Sequence, residues 1–278
     1  MAAIAHRTLV VLDRCVLLAR PELVLRPDEG IVIPDAYIAE MAEGDRTDTE
    51  PGQFLRWVRR FPERVYVAGY WWDLINAEGS CNRKARMEDV IRCGLTKKLR
   101  QIVQAEPLPD WSAGAKELAG WSDHGYSVGR KQFLQLASLF RQWIDQDKPD
   151  FWAPMARGAA TDEERMRFVR DPDQSAVIAP IWLEWMGYDG GRYRSEPWQR
   201  QLKAFPDRCA AGRWARLILW YFVKWAVGET SKFKNNWDDM HYALVASYTG
   251  HLATHDKGLA EAMAVVFPDC AVRTSPVR

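Results

Sequence analysis

The stretch TLVVLDRCVLL, residues Thr8–Leu18, carries the strongest fold signal in the chain. Its first five residues are apolar or β-branched without alternation, which is typical of a strand buried on both faces of a parallel sheet. The strand is followed at once by Asp13. A charge at the end of a buried strand is costly unless another group pairs with it. The sequence therefore predicts that Asp13 has a partner.

Both ends of the chain alternate strands with helices. After the first strand come IVIP (31–34), the helix DAYIAEMAE (35–43) and RVYVAG (64–69), a third candidate strand. The last part reads as helix 235–250, strand 251–254, helix 256–267 and strand 270–274. This alternation predicts an α/β fold with three layers, in which helices cover both faces of a central parallel sheet.

The middle of the chain differs, because apolar residues recur there at helical spacing, as in 133–144 and 213–226. The simplest organisation is an α/β core formed by 1–70 and 231–278, interrupted by a large all-helical insertion at 71–230. Of the 14 tryptophans, only Trp237 lies outside the span from Trp57 to Trp225. We expect most of them to form a helical core, the alternative being a platform on which bases stack.

The overall composition excludes several classes of protein. The net charge is +1, so the overall charge does not indicate a nucleic-acid or membrane partner. The five cysteines are scattered without a CxxC pair, which argues against a disulfide framework or a zinc site and favours a cytoplasmic location. No run of about 18 apolar residues is present, so no membrane span is expected. The most apolar stretch, 217–227, is predicted to be a buried helix.

Carboxylates follow two of the predicted strands. Asp13 ends the first, and Asp256 comes just after LAT (252–254). Two carboxylates at one sheet edge repel each other unless a cation lies between them, and oxygen ligands favour Mg²⁺ or Mn²⁺. Asp239 leads a helix face of small residues that continues through positions 243, 246 and 250, so it is predicted to face this edge. Asp238 is rotated by about 100° and is the second choice.

Taken together, VVLDRCVLL, VIPDAYIAEMA and DDMHYALVASYTGHLATHDKGLA resemble the PIN domain, a family of metal-dependent nucleases. The family pattern is a strand ending in Asp, a helix bearing Glu after a strand and Pro, a helix opening with Asp, and Thr-x-Asp after a short strand. These motifs match Asp13, Glu40, Asp239 and Asp256, with Thr254 as the threonine. The resemblance covers roughly 1–45 and 231–278.

Two features depart from the family pattern. The stretch between the second and third acids is much longer than in PIN proteins of toxin–antitoxin pairs. Cys15 stands where the family often has a small polar residue or Asn.

The resemblance implies hydrolysis of phosphodiester bonds, with RNA favoured over DNA as the substrate. Asp13, Asp239 and Asp256 would hold Mg²⁺ or Mn²⁺, and Glu40 would position or deprotonate the attacking water. Thr254 would bind water or a neighbouring carboxylate.

Basic residues are expected to meet the phosphates of the substrate. Lys232 and Lys234 precede Asp239 closely in SKFKNN (231–236). The segments 54–104 and 192–224 are also rich in Lys and Arg, although such residues can equally form solvated helix faces.

Other functions fit less well or remain open. A haloacid-dehalogenase-type phosphatase needs a second Asp where Cys15 stands, and a Rossmann nucleotide binder needs glycines after the first strand. His251 and His255 straddle a strand and a turn, so they do not suggest a zinc site. The main alternative is a PIN-like fold used as a non-catalytic binding or regulatory module through its helical insertion. A protein partner or inhibitor also stays open.

Overall fold

The computed structural model describes residues 7–19, 25–43, 49–81, 84–105, 117–118, 131–135, 138, 161–187, 189–226 and 233–274. Contacts between Cα atoms divide the chain into two compact units. The first unit comprises 1–77, 85–126 and 241–278, and the second comprises 78–84 and 127–240. The predicted insertion, with its boundaries at 70/71 and 230/231, remains a prediction.

The first unit contains a five-stranded sheet, and all five predicted strands are present. They are β1 (Leu9–Leu12), β2 (Gly30–Pro34), β3 (Val65–Ala68), β4 (His251–Ala253) and β5 (Ala271–Arg273). Every pair is parallel, and the spatial order is β3-β2-β1-β4-β5. The α/β class is therefore confirmed, and the helices packed against the sheet are consistent with three layers.

Strand β1 lies at the centre of the sheet. Val11 is level with Val32 of β2 on one side and with Leu252 of β4 on the other. All four residues of β1 are buried, as its uninterrupted apolar sequence predicted. From β1 the chain first builds outward through β2 and β3, and it later returns to the other side of β1 with β4 and β5.

Short connections lead from the strands into helices. The helices of the N-terminal part are α1 (Arg14–Ala19), α2 (Asp35–Glu43), α3 (Thr49–Arg60), α4 (Trp71–Cys81), α5 (Met87–Val90) and α6 (Cys93–Gln104). A segment antiparallel to β3 precedes α6, since the amide of Arg92 donates to the carbonyl of Val67 at 2.9 Å and Ala68 bridges Ile91. This segment holds Arg92 beside the sheet edge.

In the second unit, the described residues outside short turns are helical. The helices that lie wholly within it are α7 (Asp162–Arg170), α8 (Pro172–Trp185), α9 (Gly191–Arg194), α10 (Glu196–Ala204) and α11 (Ala210–Ala226). Helix α11 contains most of the predicted buried helix 217–227, and Leu217, Ile218 and Leu219 are fully buried. Of the predicted helix 133–144, residues 133–135 and 138 are helical, and the rest lie outside the described residues.

Large aromatic side chains form much of the core of the second unit. The Phe133 ring lies 5.8 Å from Trp182, 5.3 Å from Trp225 and 5.0 Å from Trp237, measured between ring centroids. Trp237 also meets Trp214 edge to face at 5.6 Å. For these described tryptophans the expectation of a helical core is confirmed, whereas Trp185 is 52% exposed.

A buried carboxylate caps the longest helix of this unit. Glu78 is fully buried, and its Oε1 accepts a hydrogen bond from the amide of Ala210 at 2.6 Å. Its Oε2 accepts from the amide of Ala211 at 3.3 Å. The carboxylate therefore satisfies amides at the N-terminus of α11, which would otherwise lack partners, and its charge suits the positive end of the helix.

The C-terminal part returns to the sheet through α12 (Phe233–Thr249) and α13 (Lys257–Val266). Gly250 ends α12 with φ +76°, a left-handed conformation that favours glycine, and its carbonyl accepts from the amide of Ala271. Arg273 on β5 forms two hydrogen bonds with the buried carboxylate of Glu29, which directly precedes β2. Burial alone would raise the pKa of Glu29, but hydrogen bonds from the Arg273 guanidinium and the Arg26 amide, together with the charges of both arginines, outweigh burial and lower the pKa.

Within the described part of the chain, none of the helices has the length and apolar character needed to cross a membrane.

Candidate active site

Asp13 and Thr254 meet where two neighbouring strands end. Asp13 follows β1 and Thr254 follows β4, and the amide of Asp13 donates to the carbonyl of Ala253 at 3.0 Å. The chain builds the sheet in opposite directions on the two sides of this point. In open parallel sheets, such a switch point opens a crevice at the carboxyl ends of the strands, and ligands bind there.

The Asp13 carboxylate is held from one side. Its Oδ2 accepts hydrogen bonds from Thr254 Oγ1 at 2.6 Å and from Cys15 Sγ at 2.8 Å. Among the residues that the structure describes, none donates a hydrogen bond to its Oδ1. The side chain is only 6% exposed. Among the described residues, the partner of Asp13 is thus a pair of neutral donors, which fix its orientation and bring no positive charge to it.

Asp256 organises the turn after β4. Its amide donates to Thr254 Oγ1 at 2.9 Å, and its Oδ1 accepts from the amide of Leu259 at 2.9 Å, which caps α13. Thr254 Oγ1 therefore receives a hydrogen bond from Asp256 and donates one to Asp13. The Thr-x-Asp motif links the two predicted metal ligands through a single hydroxyl. Asp256 itself is exposed to solvent.

Cys15 is part of the same network. Its sulfur accepts a hydrogen bond from the amide of His255 at 3.1 Å while the thiol donates to Asp13. Burial raises the pKa of the thiol to about 11, and the nearby Asp13 carboxylate adds to the effect. Cys15 therefore stays protonated at neutral pH and acts as a donor to Asp13. This is a role that the sequence alone did not indicate.

Glu40 projects from α2 and has little solvent contact. Its side chain is 9% exposed, and its Oε2 lies 3.9 Å from Nη1 of Arg14, the residue that follows Asp13. The pair joins the helix after β2 to the start of the helix after β1. An ion pair therefore holds Glu40 near the Asp13 segment, and its role at the attacking water stays a prediction.

The third predicted acid lies on α12, in the second unit. Asp239 is partly exposed, whereas Asp238 is 8% exposed. Ala243 and Ala246, which share the helix face of Asp239, are fully buried. The metal-binding role of Asp239, with Asp238 as second choice, stays a prediction.

The two lysines predicted to bind phosphate lie just before these acids. Lys232 lies outside the described residues, and Lys234 belongs to the first turn of α12. Their contact with a substrate stays a prediction.

A second acidic pair, which the sequence did not predict, follows β2 and β3. Asp35 directly follows β2, as Asp13 follows β1, and is 2% exposed. Neither of its carboxylate oxygens has a hydrogen-bond partner among the described residues. Arg92 Nη1 lies 3.7 Å from Asp35 Oδ2 and 3.4 Å from Asp73 Oδ2.

Burial raises the pKa of Asp35 well above its usual range, and the neighbouring Asp73 adds to this, whereas Arg92 opposes it. The position of Asp35 at a strand end is the signal that could have identified it. Its place in the sequence otherwise indicates only an acid suited to the positive N-terminal end of a helix.

Many of the basic side chains in 192–224 are paired. Arg194, Arg200 and Arg216 form ion pairs with Glu184, Glu196 and Asp207, and Lys203 pairs with Asp173. Arg208 instead stacks on the exposed ring of Phe205, with its guanidinium carbon 4.3 Å from the ring centroid. The ion pairs reduce the positive charge that this segment can offer to phosphates.

Within the described part of the chain, no group of three or more His, Cys, Asp and Glu side chains is close enough together to hold a metal ion. The carboxylate oxygens of Asp13 and Asp256 are nevertheless of the kind that Mg²⁺ and Mn²⁺ prefer.

Comparison of the chain with protein-family models, with curated proteins and with solved structures found no match.

Proposed function

We propose that this protein is a divalent-metal-dependent nuclease with a PIN-like fold, most simply an endoribonuclease. The observation that carries the proposal is the hydrogen-bonded Asp13–Thr254–Asp256 chain at the switch point of the sheet. Its Asp13 carboxylate is buried, oriented by two neutral donors and not neutralised by them. A buried negative charge of this kind is costly in an apo protein and becomes favourable when a cation binds.

The donor set fits a hard cation in its chemistry. Asp13 and Asp256 each have a carboxylate oxygen that receives no hydrogen bond from the described residues. Asp239 is proposed to complete the set. Mg²⁺ commonly binds through only one or two carboxylates and keeps several waters, so a large preformed cluster is not required.

The chain's own residues then have distinct tasks. A bound Mg²⁺ or Mn²⁺ supplies an acidified water as nucleophile and a counter-charge for the leaving oxygen. Thr254 and Cys15 keep the Asp13 carboxylate in one orientation, which reduces the reorganisation that binding requires. Glu40 orients the attacking water and accepts its proton, and Arg14 keeps Glu40 near the Asp13 segment.

A polyanionic substrate must approach this acidic edge, so nearby cations are needed. We assign phosphate binding to Lys232 and Lys234, which precede Asp239 by a few residues. Arg208 stacked on exposed Phe205 in the second unit combines a cation with an aromatic face, a pairing suited to single-stranded nucleic acid. RNA as the substrate is proposed on the resemblance alone.

A cleavage assay tests the proposal. The wild-type chain is incubated with single-stranded and structured RNA and DNA, with Mn²⁺, Mg²⁺ or EDTA. Asp13→Asn/Asp256→Asn is the inactive variant, and Asp269→Asn, at an exposed turn residue, is the matched control. The expected result is metal-dependent cleavage of RNA that only the double variant loses. Equal cleavage by the wild type and the double variant would contradict the assigned site.

The non-catalytic binding module is the alternative outcome of the same experiment. It predicts no cleavage of any polymer and the same Mn²⁺-induced change in thermal stability for the wild type and for Asp13→Asn/Asp256→Asn. Thr254 and Cys15 would then have a structural role only, and the Asp13 network would connect β1 with β4.

A further inference from the structure

We infer that Asp35 and Asp73 form a second divalent-cation site, at the carboxyl ends of β2 and β3, which Arg92 occupies in the metal-free protein. The site uses carboxylates other than those of the proposed catalytic centre at β1 and β4. It does not depend on nuclease activity, because it rests on contacts that do not include Asp13 or Asp256.

The first observation is the state of the Asp35 carboxylate. It is buried, and neither oxygen has a hydrogen-bond partner among the described residues. Buried polar groups in native proteins are nearly always hydrogen-bonded, so a buried carboxylate without a hydrogen bond calls for a functional or structural explanation.

The second observation is the geometry of the neighbouring charges. One nitrogen atom, Nη1 of Arg92, is close to Oδ2 of both Asp35 and Asp73, so the two carboxylates face a common point. Its distances of 3.7 and 3.4 Å exceed those of charge-assisted hydrogen bonds, which are about 2.7–2.9 Å. The guanidinium thus supplies positive charge to this point without satisfying the Asp35 oxygens.

The third observation is that Gly69 lets Asp73 and Arg92 lie close to the backbone. A Cβ atom at Gly69 would lie 3.2 Å from Asp73 Oδ2 and 3.3 Å from Arg92 Cγ, so a side chain at this position would crowd both. Asp73 Oδ2 also accepts from the amide of Tyr70 at 3.2 Å, which fixes the carboxylate at the start of α4. Asp35 directly follows β2, so the sheet fixes the position of its backbone.

The ligand chemistry follows from these groups. Two carboxylates with waters completing the shell suit Mg²⁺ or Mn²⁺, which need few protein ligands. Arg92 is 33% exposed on its side chain and can turn toward solvent when a metal ion takes its place. The Asp73 side chain is 40% exposed, so water has access to the point between the carboxylates.

The test measures Mn²⁺ binding by electron paramagnetic resonance and calorimetry, with Mn²⁺ as the only added ligand. The starting protein is the Asp13→Asn/Asp256→Asn variant, which removes the proposed catalytic centre. We expect it to retain one bound Mn²⁺ per chain. Adding Asp35→Asn or Asp73→Asn should abolish that binding, and adding Asp269→Asn should leave it unchanged.

Arg92→Gln provides an opposite and independent prediction. Removing a competing positive charge should tighten Mn²⁺ binding by about tenfold, in the same background. Thermal unfolding would reveal whether Asp35→Asn unfolds the protein. In that case Asp73→Asn still tests the site, because the Asp73 side chain is partly exposed and the fold should tolerate the change. The inference is overturned if the background variant binds no Mn²⁺, or if Asp73→Asn leaves its affinity unchanged. Neither result changes the outcome expected of the cleavage assay, because that assay depends on Asp13 and Asp256.

Discussion

Replacing Thr254 by valine tests the hydrogen-bond chain at the sheet edge directly. Valine has nearly the same shape, so the fully buried site should accept it without a cavity. The change removes the 2.6 Å hydrogen bond to Asp13 and the acceptor of the Asp256 amide. A hydrogen bond to a charged group contributes about 1.5–3 kcal/mol, so we expect the free energy of unfolding to fall by about 2 kcal/mol.

The assay is urea denaturation of the metal-free protein, followed by far-ultraviolet circular dichroism. Thr254→Ser is the matched control, because it keeps the hydroxyl and loses only a methyl group. The loss should also shrink to below about 1 kcal/mol when Thr254→Val is made in an Asp13→Asn background, since the charge is then absent. Equal stability of the valine variant and the wild type would show that the hydroxyl does not stabilise the Asp13 carboxylate.

Three further predictions concern other buried polar groups. Glu78→Ala should lower the free energy of unfolding by about 2 kcal/mol, since amides at the start of α11 lose their acceptor, and Glu78→Gln should lower it less; urea titration compares the two. Because its partners lower the pKa of Glu29, their pairing contributes its full stabilisation to the fold above the ordinary carboxyl pKa of 4.5. This stabilisation is lost as the pH falls through the lowered pKa. Melting temperatures between pH 7 and 3 should therefore fall more steeply for the wild type than for Arg273→Gln, and parallel curves would contradict this. Finally, Cys15, with its pKa raised to about 11, should react with a maleimide at pH 7.5 much more slowly than exposed Cys93, as peptide mass spectrometry would resolve; comparable rates would contradict the thiol's role as a donor.

The strands could be predicted because each carries a strong local signal. The first strand has no polar residue between Leu9 and Leu12, and a parallel sheet buried on both faces requires this pattern. The ends of the strands then predicted that Asp13 and Asp256 lie at one edge, and the structure brings Thr254, two residues before Asp256, into contact with Asp13. Parallel topology alone is enough to predict this shared position, since the carboxyl ends of parallel strands lie at one edge of the sheet.

The partners of the charged groups could not be predicted in the same way. Cys15 donates to Asp13 within its own turn, but its sulfur also accepts from the amide of His255, in the turn that follows β4. Asp35 reads locally as a helix N-terminal residue, and its burial beside Asp73 and Arg92 depends on a segment about 55 positions later in the chain. Periodicity reports which face of an element is apolar, and it carries no information on such distant side-chain contacts.

The central position of β1 has a consequence for biosynthesis. Its neighbour β4 begins only at His251, and the Thr254–Asp13 hydrogen bond joins residues 241 positions apart. While the ribosome is still making the middle of the chain, β1 can pair with β2 but has an open edge on its other side. Contacts between residues so far apart in sequence form late, and an unpaired strand edge favours aggregation of the incomplete chain. The nascent protein therefore has an exposed strand edge until β4 has been synthesised, and the site at Asp13 forms only after β4 has paired with β1.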